Sequence, residues 1–158
     1  MPLRREKGFS LTELLVVILI VGILTAAALP AFSSFIAGQR IKTASFDMMA
    51  MLTLARSESI KRDANVTVAP VNSDWAQGWT VTNSVDGLVL NRQNALPGIS
   101  VTCLQGGVAA ICGSLVYNSN GRCANAQSIQ LGSATPGVNA RCIGVDLSGR
   151  PNSKLGNC

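Results

Sequence analysis

The first groups whose types and spacing suggest chemistry are a carboxylate and an amine that proteolytic processing would create. Glu13 stands at the head of a long apolar run rich in Leu, Val and Ile. A carboxylate in a lipid-facing helix costs about 2.5–3.5 kcal/mol, so it usually has a partner or a function. If the chain is cut between Gly8 and Phe9, the new amine lies four residues before Glu13 and can neutralise it, within one chain or between packed helices. Such a pair would neutralise both charges within the membrane or a filament core.

The segment around this pair allows two interpretations. In one, residues 4–7 are the basic start of a secretory signal that is cut near residues 26–28, where small side chains cluster. In the other, the cut falls after Gly8 and the apolar run stays attached. From Phe9 to Ile36 the run is about 42 Å long as a helix, which exceeds the roughly 30 Å core of a bilayer. An acid has no purpose in a discarded signal, so Glu13 favours the retained helix. Gly8 suits a peptidase that must admit an extended backbone, because it has no Cβ.

The composition argues against catalysis. The chain has 158 residues, the size of one ordinary domain, with a formal net charge of +5 and no His. His is the commonest general base and metal ligand. The sequence also has no Gly-x-Ser-x-Gly nucleophile motif and no Cys-x-x-Cys pair. We therefore expect no enzyme activity, no cofactor and no metal site.

A helical pattern continues after Pro30. Small and apolar residues recur at steps of three and four, which predicts one buried helix face. These residues are Ile41, Ala44, Met48, Leu52, Ala55 and Ser59. The pattern predicts one helix from Phe9 to about Arg62, about 80 Å long, that ends in residues 63–65. Its first half would lie in the membrane or the filament core, and its second half would pack on the domain that follows.

Short β-type runs alternate with turn residues from Asn65 onward. The predicted strands are Val66–Ala69, Gly78–Thr82, Leu88–Arg92, Ile99–Cys103, Ser114–Tyr117, Ser128–Leu131 and Arg141–Leu147. Their spacing favours one antiparallel sheet, or two small sheets, packed on the helix. The predicted fold class is α+β, a long N-terminal helix on an antiparallel β domain. Its expected parts are a leader peptide (1–8), a transmembrane or filament-core helix (9–36), an amphipathic continuation (37–62) and a β-rich globular domain (63–158).

The stretch KGFSLTE, followed by an apolar run, resembles the class III signal of type IV pilins and type II secretion pseudopilins. This resemblance implies the type IV pilin fold. It also implies that a prepilin peptidase cuts after Gly8 and N-methylates the new N-terminus at Phe9, and that Glu13 serves subunit docking. Pro30 stands where helices of this family often carry a kink.

Later segments, LARSESIKRDANVTV, WAQGWTV, LVYNSNGR and RCIGVDLSGR, resemble the GspH/FimT/FimU branch of minor pilins and pseudopilins. The resemblance implies a minor pilin of a bacterial type IV pilus, near the filament tip, that supports pilus assembly, twitching motility or adhesion. The alternatives are a FimT-like DNA-binding minor pilin for natural transformation and an H-type pseudopilin of type II secretion.

The same resemblance implies partners and a location. The partners would be other pilins or pseudopilins in a filament, the prepilin peptidase, the inner-membrane assembly machinery and, before assembly, membrane lipid. The protein would cross the inner membrane once, with its β domain in the periplasm. After assembly it would be part of the pilus filament at the cell surface.

Three basic residues near the C-terminus are candidate contacts to double-stranded DNA. Arg150 follows a Gly in a turn after a strand, Lys154 lies on the same tail, and Arg122 follows a Gly in a similar turn. Basic turn tips suit phosphate contact, which positions a nucleic-acid backbone without reading its sequence. FimT-type DNA receptors use a C-terminal Gly-Arg-x-Arg motif, and Asn152 replaces its second Arg in this chain. The competing interpretation is that these are solvated turn residues.

All five cysteines lie in the last third of the chain, which favours disulfides behind an export segment. Cys142 and Cys158 flank the C-terminal tail, and a bridge between them would hold a segment that would otherwise fray. Cys103 and Cys112 flank a Gly-Gly loop and would close it. These two pairs leave Cys123 unpaired, although the sequence alone does not fix the connectivity.

Overall fold

The computed structural model describes residues 9–158 and begins with a single long helix, α1, from Leu11 to Lys61. The helix predicted from residue periodicity is confirmed, starting two residues later and ending one residue earlier. The backbone leaves α1 at Asp63, whose φ of 48° lies in the left-handed region that Asp tolerates. The helix continues across position 30 without interruption, and the kink expected at Pro30 stays a prediction. The leader predicted at residues 1–8 lies outside the described residues.

The second half of α1 packs on the domain through the face that its periodicity predicted. All six residues of that face are buried, namely Ile41, Ala44, Met48, Leu52, Ala55 and Ser59. Half of them are small, which lets the strands approach the helix closely. The first half of α1 has no comparable contact, because its large apolar side chains from Leu14 to Phe35 are exposed. The helix therefore has an exposed apolar first half and a second half that packs on the β domain.

Nine antiparallel strands, among the described residues, form two sheets against this helix. They are β1 (Val66–Val71), β2 (Asp74–Asn83), β3 (Val89–Gln93), β4 (Ser100–Gln105), β5 (Val108–Ala110), β6 (Leu115–Tyr117), β7 (Gln127–Gly132), β8 (Arg141–Val145) and β9 (Pro151–Leu155). The first sheet has the order β3-β2-β1-β6 and the second the order β5-β4-β7-β8-β9. Two sheets on one helix is one of the two arrangements that the sequence predicted.

Two of these strands were absent from the sequence prediction. β5 has only three residues and forms a hairpin with β4. β9 is polar and largely exposed, so it lacks the apolar alternation that marks a half-buried strand. It is a strand because its backbone pairs with β8 throughout, from Pro151 opposite Val145 to Leu155 opposite Arg141. The segment expected to be a C-terminal tail is therefore an edge strand.

Large aromatic side chains fill the centre of the domain. Trp75, Trp79 and Tyr117 are the largest fully buried side chains of a core that is otherwise mainly aliphatic. The two indole rings come from β2, with centroids 6.0 Å apart and planes tilted by 47°. Few rings thus supply much of the buried apolar surface, since each buries a large area.

Candidate functional sites

The head of α1 exposes both members of the predicted processing and docking pair. Phe9 is 78% exposed, and Glu13 is exposed as well, whereas Gly8 lies outside the described residues. The backbone N–H of Glu13 donates to Ser10 Oγ at 3.2 Å, so Ser10 is the N-cap and Glu13 lies in the first turn. A carboxylate there interacts favourably with the positive end of the helix. The Ser-x-x-Glu spacing, a capping signal that the sequence analysis did not use, marks this start.

The apolar half of α1 exposes a surface whose contact with water is energetically unfavourable. By length and composition, α1 is the one helix among the described residues that is able to cross a membrane. Its most apolar stretch is not buried by the rest of the chain. Exposed apolar patches of this size mark contacts with lipid or with other proteins. The β domain therefore lies at one end of an exposed apolar helix segment.

Arg122 and Arg150, two of the candidate DNA contacts, lie on two turns that have the same hydrogen-bond pattern. Each begins with an Asx residue, Asn118 in one and Asp146 in the other. The carbonyl of that residue accepts the N–H of a glycine three positions later, at 2.8 Å for Gly121 and 2.9 Å for Gly149. Asx at the first position and Gly at the fourth are the residues that such turns prefer. The pattern Asx-x-x-Gly-Arg is a sequence signal for both.

The glycines of these two turns touch each other near the C-terminal end of α1. A Cβ on Gly149 would lie 2.1 Å from the Gly121 carbonyl oxygen, and a Cβ on Gly121 would lie 2.6 Å from Ile60 Cδ1. Both glycines have left-handed φ values, +76° and +70°. Arg56 of α1 donates from Nε to the Gly121 carbonyl oxygen at 3.0 Å. This role of Arg56 is not predictable from the sequence, because the contact joins residues far apart in the chain.

The structure brings two of the three candidate DNA contacts together. Arg122 and Arg150 directly follow the touching glycines, and both are exposed. Lys154 is also exposed, but it lies on β9, about 13 Å from Arg150 along the strand. Lys154 and Asn152 share one face of β9, because alternate residues of a strand point the same way. The site is thus two exposed arginines on touching turns, with a lysine at some distance.

One carboxylate belongs to the same turn as Arg150. Asp146 accepts hydrogen bonds from the Ser148 N–H, at 2.9 Å, and from the Ser148 hydroxyl. The Ser148 hydroxyl, helped by the N–H groups of Ser148 and Arg150, holds the pKa of Asp146 below its ordinary value of 3.8. Asp146 therefore stays ionised at neutral pH and offsets part of the positive charge of Arg150.

The structure contains two disulfides, and they join the pairs expected from the sequence, Cys103 with Cys112 and Cys142 with Cys158. Cys123 is a buried free thiol that donates to the Asn125 carbonyl oxygen at 3.2 Å. Burial raises the pKa of the Cys123 thiol, and a protonated, buried thiol is unreactive. Among residues 9–158, no group of three or more His, Cys, Asp or Glu residues is arranged to hold a metal ion.

Relatives of this chain are fimbrial proteins. A "Fimbrial protein" of Pseudomonas aeruginosa is 27% identical over 158 residues, which cover 99% of this chain and 98% of the relative. A "Fimbrial protein" of Moraxella nonliquefaciens is 51% identical over 39 residues, 25% of each chain. This chain and its relative from Pseudomonas thus align almost end to end.

Solved structures share the fold. The type IV minor pilin FimU of Pseudomonas aeruginosa superposes with a TM-score of 0.61 at 16% identity, covering 73% of this chain and 89% of FimU. The minor pseudopilin EpsH, from the type 2 secretion system of Vibrio cholerae, gives a TM-score of 0.54 at 14% identity, covering 73% and 95%. The long helix packed on antiparallel sheets is therefore the type IV pilin fold.

Two family models match the sequence. The prokaryotic N-terminal methylation motif matches residues 3–29, which include Gly8, Phe9 and Glu13. The model described as Type II transport protein GspH matches residues 44–149, about two thirds of the chain, including the contact between the two Gly-Arg turns. Minor pilins and pseudopilins assemble with other pilins in filaments. The chain belongs to the GspH family of pilin-like proteins.

Proposed function

We propose that this protein is a minor pilin of a bacterial type IV pilus, placed near the filament tip, where it supports pilus assembly, twitching motility or adhesion. One observation carries the proposal. The first half of a 51-residue helix is apolar and exposed, with a single carboxylate, Glu13, at its head. Lipid covers this surface before assembly, and the helices of neighbouring pilins cover it afterwards. The role is structural rather than catalytic.

The proposed route to the filament starts at the inner membrane. The prepilin peptidase cuts between Gly8 and Phe9 and methylates the new amine, and the β domain lies in the periplasm. In the filament core, the carboxylate of Glu13 then pairs with a terminal amine, since an unpaired charge in an apolar environment is costly. The inner-membrane assembly machinery moves the processed subunit from lipid into the pilus.

The mature N-terminus and the Glu13 side chain test this proposal. Mass spectrometry of the mature protein should find N-methylated Phe9, and a start after Ala28 would exclude the pilin route. Glu13→Gln keeps the size of the side chain and removes its charge, so we expect normal cleavage and membrane insertion but little incorporation into purified pili. Glu58→Gln, a change of the same kind near the other end of α1, is the matched control. Normal incorporation of Glu13→Gln would contradict the docking role.

Deletion of the gene distinguishes a pilus from a secretion pseudopilus. The likeness to EpsH and the GspH family model make an H-type pseudopilin the alternative. We expect deletion to lower the number of surface pili and twitching motility. Loss of enzyme secretion with normal pili would instead support the pseudopilin role.

The contact between Gly121 and Gly149 supports a second candidate function, the binding of double-stranded DNA. It places Arg122 and Arg150 on neighbouring turns, where two exposed guanidinium groups are able to contact phosphates of one duplex. Lys154 would supply a third contact farther along β9. A DNA receptor for natural transformation would need such a site on a pilus subunit, and deletion should then lower transformation.

A further inference from the structure

A groove lies where the β domain meets the apolar half of α1. Its volume is about 370 Å³. One wall is the helix from Ser34 to Lys42, and the other is formed by residues 137–139, Arg141 and Leu155 at the end of β9. Gly38 leaves open space along the helix wall, because a Cβ added there would meet nothing within 4 Å. The groove is therefore a channel along the helix rather than a gap between tightly packed side chains.

The chemistry of the groove changes along its length. Phe35, at the end nearer the apolar half of α1, is 61% exposed. Farther along, the groove is lined by two cations, Lys42 from α1 and Arg141 from β8. No carboxylate occurs among the described residues that line it, and neither cation forms a salt bridge with a described residue. Two positive charges without a carboxylate beside them therefore lie next to an apolar surface. An anionic lipid has the complementary arrangement, a negative headgroup next to an acyl chain.

With Ile36 at the edge of the hydrocarbon core, the two cations fall at the level of the headgroup layer of a bilayer. The apolar run ends at Ile36, and Lys42 lies six residues beyond it, about 9 Å along the helix. The headgroup layer on each side of a bilayer is about 5–8 Å thick. Side chains on a helix lean toward its N-terminus, and a Lys side chain is long enough to extend from position 42 back toward the apolar half of α1. Lys42 is thus able to reach the level of the lipid phosphates.

The opposite side of α1 has a groove without this charge pattern. That groove, of about 470 Å³, is lined by Arg40 and also by Asp47, so its lining carries one charge of each sign. It shares the exposed Phe35 with the first groove. The two sides of one helix therefore have a similar apolar surface, and uncompensated positive charge occurs on one of them.

We propose that the groove of Lys42 and Arg141 binds the headgroup of an anionic phospholipid in the leaflet that faces the β domain. The phosphate lies between the two cations, and an acyl chain lies along Phe35. This inference rests on the proposed membrane-anchored state before assembly. It adds a specific lipid contact that holds the domain against the membrane until the subunit enters a filament.

Native mass spectrometry of the full chain in a mild detergent tests the lipid contact. The protein is mixed with equal amounts of phosphatidylglycerol and phosphatidylcholine that carry the same acyl chains. We expect a retained phosphatidylglycerol in clear excess over phosphatidylcholine. Each cation near a membrane surface raises anionic lipid affinity about fivefold, so Lys42→Gln with Arg141→Gln should lower the preference about 25-fold.

Two further variants separate this site from general charge. Arg40→Gln removes one cation from the opposite side of the same helix and should leave the preference unchanged. Gly38→Leu fills the groove without changing any charge and should lower retention of phosphatidylglycerol. Equal retention of both lipids by the wild type, an unchanged preference in the double variant, or an equal effect of Arg40→Gln would overturn the proposal. If the double variant keeps its lipid preference but enters filaments poorly, the groove binds another subunit and the lipid site is wrong.

Alkaline extraction of cell membranes distinguishes this inference from the proposed function. A chain released by alkali is not anchored, and that result would contradict the proposed membrane state itself. A chain that stays in the membrane but shows no lipid preference would overturn the lipid site alone.

Discussion

At the scale of single residues, two glycines determine where the candidate DNA contacts lie. A Cβ on Gly149 would collide with the Gly121 carbonyl oxygen, whereas a Cβ on Gly121 would meet the flexible side chain of Ile60, and both backbones are left-handed. The sequence analysis identified both Gly-Arg pairs as turns, which depends only on local residue types. It did not predict that the turns touch, because 28 positions separate the two glycines in the chain. Contacts of this kind are decided by the packing of the whole domain.

The close approach predicts a large effect of Gly149→Ala on stability. A left-handed backbone costs an ordinary residue about 1–2 kcal/mol, and the clash with the Gly121 carbonyl oxygen adds about 1–3 kcal/mol of overpacking. We expect the free energy of unfolding to fall by about 2–5 kcal/mol in denaturant titrations. Gly137→Ala is the matched control, because Gly137 has a φ of +75° but open space around it. It should lose only the backbone part, and equal losses in both variants would contradict the close contact.

The turn of Asp146 predicts a dependence of stability on pH. The folded state lowers the pKa of Asp146, mainly through the Ser148 hydroxyl, so the ionised carboxylate stabilises the fold above its ordinary pKa of 3.8. This contribution is lost as pH falls through the lower, folded-state pKa. Asp146→Asn keeps an acceptor for the turn, as Asn118 does in the other turn, but removes the charge. The melting temperature of the wild type should exceed that of the variant at pH 6, and the difference should shrink toward pH 2. A constant difference would show that ionisation is not involved.

At the scale of elements, the helix was predictable and the last strand was not. The buried residues of α1 recur at helical spacing, and their burial against the sheets stabilises the helix. The residue pattern was therefore enough to predict this element. β9 begins with Pro151 and has no buried apolar residue, so its sequence contains no strand signal. It forms because the backbone of β8 offers partners, and such pairing is independent of side-chain type.

The edge position of β9 makes the bridge between Cys142 and Cys158 important for stability. The bridge links residues 16 positions apart, and closing a loop of that length in the unfolded chain corresponds to about 3 kcal/mol. Cys158→Ser should lower the free energy of unfolding by about this amount and speed tryptic cleavage after Lys154. Peptide mapping of the unreduced wild type should find Cys142 bonded to Cys158. A Cys142 bonded to Cys123, or unchanged cleavage in the variant, would contradict this account.

At the scale of the whole molecule, the packed second half of α1 separates two regions of positive charge. The groove of Lys42 lies next to the end of the apolar run, whereas the touching turns pack near Arg56. Arg56 lies 20 residues beyond Ile36, about 30 Å along the helix. Arg122 and Arg150 therefore lie far from the apolar end of the molecule. The overall fold follows from the sequence pattern, but this separation of charge depends on how the two sheets close around the helix.

The pair of Arg122 and Arg150 predicts weak binding of double-stranded DNA that does not depend on the DNA sequence. If Arg122, Arg150 and Lys154 each neutralise one phosphate, log affinity should fall with log salt at a slope of about −2 to −3, since each contact contributes about −0.9. Titration of the full chain in a neutral detergent, at several salt concentrations, measures this slope. Arg150→Ala should weaken binding and flatten the slope by about one unit, equally for unrelated duplexes.

The contact between the two turns predicts how three single variants, each lacking one arginine, should compare. Arg122→Ala should have the same effect as Arg150→Ala, because the touching glycines bring the backbones of the two arginines close together, so one duplex would contact both. Arg92→Ala removes an exposed cation from β3, in the other sheet, and should leave both affinity and slope unchanged. If the wild type fails to bind at low salt, or if Arg92→Ala weakens binding as much as Arg150→Ala does, DNA does not bind at these turns. The contact between Gly121 and Gly149 would then serve only to close the domain over the end of α1.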